Sequence, residues 1–357
     1  MSSRFYGNPK GSVSLTPGRG FQGVNLDNRV KTRALRVTVS GGLDVSGAIT
    51  GQVRNRGLAS AGLQFQMTEN GNVTYGLARM RILRALAEAG AAQSLYANSN
   101  VTTPLGGGSG TLAVGQHAFR EVFDIAFADP RSLNPMETAY MEATPNSFLT
   151  ANFQAVSAFI ACLVDVGAAD VELTSLEVSV EQMADSASSQ LPFFKPWYQE
   201  SELPVNGVAA NLPLYIKTRS RVRSVMFAPE VVMADGGVVE APDVITALRL
   251  IGDGGANIIG ANQQDWRSLV AGQAASQGGQ VSAAYFLANF QEGGWLSRTI
   301  LPEREYPNFR AEMATALSAI LGSNSVVIAV NELTRTPPNA SGYATVCPPQ
   351  ELPAWAQ

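Results

Sequence analysis

Histidine and cysteine are almost missing from this chain: its 357 residues include one of the first and two of the second. Metal centres draw three or four clustered ligands from these types and from carboxylates. His117 stands between Gln116 and Ala118 with no second histidine to pair with, so a structural role just before a strand is expected. Cys162 and Cys347 lie far apart with no CxxC spacing, which excludes a disulfide framework or a zinc knuckle. Cys162 falls in the apolar run Val156 to Val164 and reads as a small buried thiol, in keeping with a reducing cytoplasm.

Other signatures of chemistry are lacking too. The glycine-rich stretch Gly106 to Gly110, read as a flexible loop, has no Gly-Lys-Ser/Thr to hold phosphate. No GxGxxG opens a helix and no Gly-x-Ser-x-Gly elbow occurs, so neither a nucleotide cofactor nor a serine nucleophile is expected. The neighbouring carboxylates Glu200/Glu202 and Glu303/Glu305 sit in proline-containing stretches and read as surface charges. The expectation is a protein without catalytic, cofactor-binding or metal-binding residues. No stretch of 18 apolar residues could span a bilayer as a helix and no charged-then-apolar leader opens the chain, so membrane insertion and export are not expected.

Charge is scarce as well. Charged residues make up 15% of the chain, against about 25% in an ordinary soluble domain. A surface this poor in charge suits a protein that buries much of itself against other chains. The net charge of −4 is unevenly spread. Residues 1–36 hold Arg4, Lys10, Arg19, Arg29, Lys31, Arg33 and Arg36 against the single acid Asp27. A basic segment on an acidic body is a common way to meet phosphate in nucleic acid or lipid head groups. Arg4, Lys10, Arg19, Arg29, Lys31 and Arg33 are therefore the candidate membrane- or genome-facing residues, on an arm (1–33) expected to be extended.

What is plentiful is glycine (34), proline (19) and alternation of apolar with polar residues. Alternation predicts strands at 34–40, 63–67, 119–127, 171–180, 222–233, 244–251, 284–290 and 326–330. Asn70-Gly71 predicts a tight hairpin. Residues 75–97 are ambiguous, with a strand favoured through Arg81 and a helical turn possible after it. Residues 148–164 read as a strand followed by a turn or short helix. Residues 309–321 carry apolar residues at helical spacing and predict a helix.

Several landmarks recur in one order. Phe123 to Phe127 is answered by Phe286 to Phe290, and Ala143 to Phe148 by Glu305 to Phe309. Ala78 to Ile82 is matched with Ala247 to Ile251, and Gln93 to Tyr96 with Arg267 to Val270. A looser fifth pair joins the closing strands 171–180 and 326–330. Such collinearity predicts two tandem modules, at 34–183 and 211–336. Residues 184–210 would be a packed connector and 337–357 a tail.

Tandem β modules of this spacing, with a basic N-terminal segment and few charges, resemble the double jelly-roll major capsid proteins of tailless icosahedral viruses, especially bacteriophages with an internal membrane. The resemblance rests on the paired landmarks and covers about residues 34–335. It implies an all-β chain of two tandem eight-stranded jelly-roll sandwiches with short helices in the connections. It implies a homotrimer forming a pseudo-hexagonal capsomer in a virion assembled in the host cytoplasm. It also implies contacts to neighbouring capsomers, to penton or minor capsid proteins, and through the arm to membrane or genome. The alternative is a phage spike, fibre-hub or glycan-binding module, in which Trp197, Tyr198 and Trp295 would be sugar platforms.

Overall fold

The computed structural model describes residues 5–27, 30–47, 53–89, 101–108, 112–128, 140–141, 143, 147–165, 171–185, 194–216, 218, 221–252, 257–262, 285–289 and 308–335. Within them the chain is built of antiparallel strands with two helices.

The strands before residue 190 are β1 (Phe5–Ser14), β2 (Gln22–Asn25), β3 (Lys31–Val45), β4 (Leu63–Glu69), β5 (Asn72–Arg79), β6 (Val101–Thr103), β7 (Gly115–Ala126), β8 (Leu149–Ala155) and β9 (Val171–Asp185). They form two sheets, in the orders β1-β9-β3-β7-β6 and β2-β8-β4-β5. Helix α1 (Met80–Ala89) follows β5, and α2 (Phe159–Leu163) follows β8. The later strands are β10 (Phe194–Val205), β11 (Ala209–Tyr215), β12 (Arg221–Val232), β13 (Val238–Glu240), β14 (Ile245–Ile251), β15 (Asn257–Asn262), β16 (Phe286–Asn289), β17 (Arg310–Thr315) and β18 (Ser323–Arg335). These too make two sheets. One runs β10-β18-β12-β13 with β16 also pairing β12, and the other runs β11-β17-β14-β15.

The two halves share one plan. Matching β1, β9, β3 and β7 to β10, β18, β12 and β16 gives the first sheet of each half one strand order. Matching β2, β8, β4 and β5 to β11, β17, β14 and β15 does the same for the second. In each half the sheets close face to face on an apolar interior. Alternation puts Leu35, Val37, Val39 and Leu43 of β3 inside, opposite Phe65 and Met67 of β4 and Phe153 of β8, all fully buried. Phe65 packs on Phe153 with ring centroids 5.3 Å apart.

Most predicted strands are present, as is the Asn70-Gly71 hairpin. Both turn residues have positive φ, 48° and 85°, which asparagine and glycine tolerate. The repeat landmarks divide. Residues 123–127 and 286–289 lie on the equivalent strands β7 and β16, and the closing strands β9 and β18 are equivalent. The described parts of 143–148 and 305–309 each lead into an equivalent strand, β8 or β17. Residues 78–82 and 247–251 are not equivalent: the first join β5 to α1, whereas the second are β14, the counterpart of β4. The pair 93–96 and 267–270 lies outside the described residues.

Four further expectations are corrected. The N-terminal segment is not a separate arm, because β1 pairs with β9 over Phe5 to Ser14 and β2 pairs with β8. Its Leu15, Val24 and Leu26 are buried in the core, so hydrophobic burial holds it in place. The connector is likewise structural: β10 pairs along its whole length with β18. The glycine-rich run begins as a 3₁₀ turn, Leu105–Gly108. Residues 310–315 form a strand instead of a helix, since Ala311, Met313 and Thr315 turn into the core at period two while Arg310 and Glu312 pair outside. The helical reading would have buried Leu317, which is 53% exposed. The ambiguous segment resolves as strand to Arg79 and helix from Met80, where Met, Leu, Ala and Arg favour α1.

Candidate functional site: the seam between the sandwiches

The two sandwiches meet along a seam, and the ion pairs that cross it set arginines of one against carboxylates of the other. Sandwich 1 contributes arginines from β5, α1 and the turn before β4. Sandwich 2 contributes carboxylates from β10, β12 and the turn before β13.

Along β5 the contact is tight. Tyr75 stacks on Tyr198 of β10 with ring centroids 5.3 Å apart and planes 12° apart. Both rings are buried, and burial raises both hydroxyl pKa values, so at neutral pH they stay protonated as donors. The Tyr198 hydroxyl donates to Glu200 at 2.6 Å. Glycine is required at position 76, where a Cβ would collide with the Tyr198 carbonyl oxygen. The Arg79 backbone N–H donates to Glu200 at 2.8 Å, and its guanidinium reaches Glu200 at 3.0 Å and Glu202 at 2.6 Å. Glu200 and Glu202 are thus seam ligands of Arg79; the surface role expected of them is corrected.

Deeper in the seam, Arg81 of α1 forms an ion pair with Glu230 of β12, and both side chains are almost wholly buried. Arg79 lies 3.7 Å from the same carboxylate. From the other side, Arg223 of β12 donates to the carbonyl of Phe127 at 3.2 Å. Within sandwich 1, Arg84 faces Glu121 at 3.6 Å. Burial raises the Glu121 pKa, and Arg84 together with Ser60 opposes that rise.

The turn before β4 closes the seam at one end. Arg54 donates to the Ala161 carbonyl at 2.8 Å and to Asp235 at 2.6 Å, and lies 3.3 Å from Asp165. The Asn55 amide donates to the carbonyls of Cys162 at 2.8 Å and Val238 at 2.5 Å, and its oxygen accepts from the Glu240 N–H at 3.2 Å. One side chain thereby ties three strand and helix ends from both sandwiches. Asn55 and Arg56 both have positive φ, 48° and 58°, a conformation that asparagine accepts at least cost. Cys162 Sγ accepts from the Val238 N–H at 3.5 Å, and burial pushes its thiol pKa up, so it is an unreactive packing group. Asn55, Arg56, Arg81, Arg84, Glu240 and Tyr285 line a shallow cleft beside this turn.

Buried pairs of this kind repay little of their desolvation cost. Their effect is directional, since Arg54, Arg79 and Arg81 of sandwich 1 each meet a carboxylate of sandwich 2 in this orientation. Asp235 has a measurable signature: burial would raise its pKa, but the hydrogen bonds from Arg54 and the Gly237 N–H hold it below the usual aspartate value. A depressed carboxylate stabilises the fold above its unfolded pKa, and that contribution disappears as pH falls through the folded one. Asp235→Asn is expected to lower stability near neutrality and to flatten its loss in acid below about pH 4. Chemical denaturation at a series of pH values checks this, and a variant whose acid slope matches the parent chain contradicts it.

The basic candidates fall into different places. Lys31 and Arg33 open β3 and are 6% and 2% exposed, with Arg33 lying over the Tyr140 ring at 5.7 Å. Both side chains are thus withdrawn from the surface of the single folded chain. Lys10 is half-buried on β1, 3.9 Å from Asp27. Arg19 is exposed in the turn between β1 and β2. Arg4 and Arg29 lie outside the described residues, as do Trp295 and the pair Glu303/Glu305. Tyr198 is wholly buried and Trp197 half-buried, so neither offers an open sugar platform. His117 sits 2.7 Å from the Ala113 carbonyl. Among the described residues there is no group of three potential metal ligands.

No family model and no curated sequence matches the chain. Solved structures do. A chain in the atomic structure of Sulfolobus Turreted Icosahedral Virus matches with a TM-score of 0.65 at 12% identity, over 97% of this chain and 94% of that one. A chain of the PBCV-1 virus capsid matches at 0.56 and 11%, over 93% and 94%. The major capsid protein P2 of bacteriophage PM2 matches at 0.50 and 10%, over 94% and 100%. The chain is a double jelly roll. The near-complete coverage on both sides means that the double jelly roll is shared as a whole. Its first roll runs from β1 to β9 and its second from β10 to β18.

Proposed function

We propose that this protein is a major capsid subunit whose homotrimers form pseudo-hexagonal capsomers tiling an icosahedral shell. The observation that carries this reading is the pair of rolls of one strand order, locked by a seam of ion pairs and matched end to end by the capsid chains above. Two like wedges in one rigid chain give three chains six similar wedges, which suits a hexagonal net. The low charge agrees with large contacts between copies. On this reading the protein acts in the virion, is assembled in the host cytoplasm, and performs no chemistry of its own. Its partners are copies of itself, penton or minor capsid proteins, and membrane or genome through the basic N-terminal residues Arg4, Lys10, Arg19 and Arg29.

Size-exclusion chromatography with light scattering tests the core of this proposal. The expected species is a trimer of three 37.7 kDa chains. A chain that stays monomeric at every concentration would overturn it.

A further inference from the structure

The chain contains two asparagine–glycine pairs, Asn70-Gly71 and Asn206-Gly207. An asparagine side chain cyclises onto the next backbone nitrogen most readily when glycine follows, because glycine has no Cβ to crowd the attack. The fold treats the two pairs differently.

Asn70 is held through its backbone and its side chain. Its N–H donates to the Phe148 carbonyl at 3.2 Å, and its side-chain oxygen accepts from the Phe148 N–H at 3.3 Å. Its φ of 48° belongs to the β4–β5 hairpin, whose ladder closes at Glu69 and Asn72. Swinging its Cγ onto the Gly71 nitrogen would break these contacts. Asn324, which precedes the small residue Ser325, is held as well. Its oxygen accepts from the Ser318 N–H at 2.9 Å, and its amide donates to the Gly322 carbonyl at 3.3 Å.

Asn206 lacks such restraints. It lies in the turn between β10 and β11, just past the ladder pair of Val205 with Asn324. Its side chain is exposed and makes no hydrogen bond among the described residues. The Gly207 N–H has no acceptor among them either, and a Cβ built on Gly207 would meet nothing within 4 Å. The Gly207 carbonyl is engaged, by the Thr315 hydroxyl at 3.3 Å, which leaves the nitrogen open to the solvent side. Electrophile and nucleophile are therefore adjacent, solvated and outside the ladder, at an exposed turn of the kind where chemical change is best tolerated.

We infer that Asn206 is a site of spontaneous deamidation through a cyclic imide, and that the fold protects Asn70 from the same reaction. The Gly207 nitrogen attacks the Asn206 Cγ and gives up its proton, while the side-chain nitrogen leaves as ammonia. Water then opens the ring at either carbonyl, giving aspartate or isoaspartate, so the reaction consumes only water. Each event adds one negative charge at the end of roll 2 where Val208, Leu317 and Leu321 are 83%, 53% and 88% exposed.

The test incubates the purified full-length chain in mildly alkaline buffer, folded or in denaturant, and maps its peptides by mass spectrometry. In the folded chain the peptide carrying 206–207 should exchange its amide NH2 for OH severalfold faster than the peptide carrying 70–71. In denaturant the two should convert at similar rates. An isoaspartyl methyltransferase should label the converted chain at position 206. Gly207→Ala should slow that conversion severalfold, since its methyl group crowds the attacking nitrogen yet fits the open turn. If Asn206 stays intact when folded but converts in denaturant, the site is wrong. If Asn70 converts in the folded chain as fast as Asn206, protection by its hydrogen bonds is wrong. Aspartate without isoaspartate at 206, or an unslowed G207A, would overturn the cyclic route. Should G207A not fold, the parent chain compared in the two solvents decides.

Discussion

Deletion of residues 2–30 is expected to abolish folding of roll 1. The truncation removes β1 and β2, one edge strand from each sheet of that roll, together with the buried side chains of Leu15, Val24 and Leu26. Burying a large aliphatic side chain contributes about 1.5–3 kcal/mol. Losing three of them, and the nine ladder positions that pair β1 with β9, removes an amount comparable with the whole stability of a typical domain, about 5–15 kcal/mol. Circular dichroism and limited proteolysis of the truncated chain check this. A truncated chain that unfolds at the parent temperature would show that the first two strands are appended to roll 1, not part of it. A free basic arm would have predicted the opposite result, a normal trimer with defective particles.

The second large effect is expected at Glu230. Glu230→Ala leaves Arg81 buried in the seam without its carboxylate, and uncompensated buried charge of this kind costs roughly 3–5 kcal/mol. Arg81 is 5% exposed, so relaxation into water is restricted. The double variant Arg81→Met/Glu230→Leu should recover most of that loss, because an apolar pair of similar volume pays no desolvation penalty. Denaturant titration of the single and double variants gives the comparison. Equal destabilisation in both would mean that packing volume, not charge, holds this part of the seam. A loss below about 1 kcal/mol in the single variant would mean that the pair is effectively solvated. The same experiment tests specificity, since the double variant should be stable yet assemble poorly if the ion pairs set the angle between rolls.

These two cases mark where the sequence was readable and where it was not. Strands whose faces differ in solvation announce themselves: β9 alternates from Leu176 to Gln182 because one side meets the core and the other does not. β1 is an edge strand rich in Gly, Pro and Ser, with no such alternation, and its pairing partners lie about 170 residues away in β9. β17 misled for another reason. Its apolar residues satisfy the helical spacing and the strand spacing together, and the place waiting between β11 and β14 decided the matter. The seam left the faintest trace. Arg79, Arg81 and Arg84 stand out in an otherwise apolar stretch, a signal that could have marked them as buried and paired. Nothing near them names Glu200 or Glu230 as the partners.

By itself, then, the order of residues determined a β-rich protein of two like modules, the Asn70-Gly71 hairpin, the inert Cys162 and the want of a visible catalytic motif. Each of these depends on periodicity or on neighbours within a few residues, where backbone sterics and side-chain spacing act directly. Only the tertiary structure decided which segments close each sandwich, that 310–315 is a strand, that Lys31 and Arg33 are buried, and that arginines of one roll face carboxylates of the other. Those outcomes follow from long-range pairing of backbone and charge, in which a segment adopts the conformation that satisfies a partner far away in the chain.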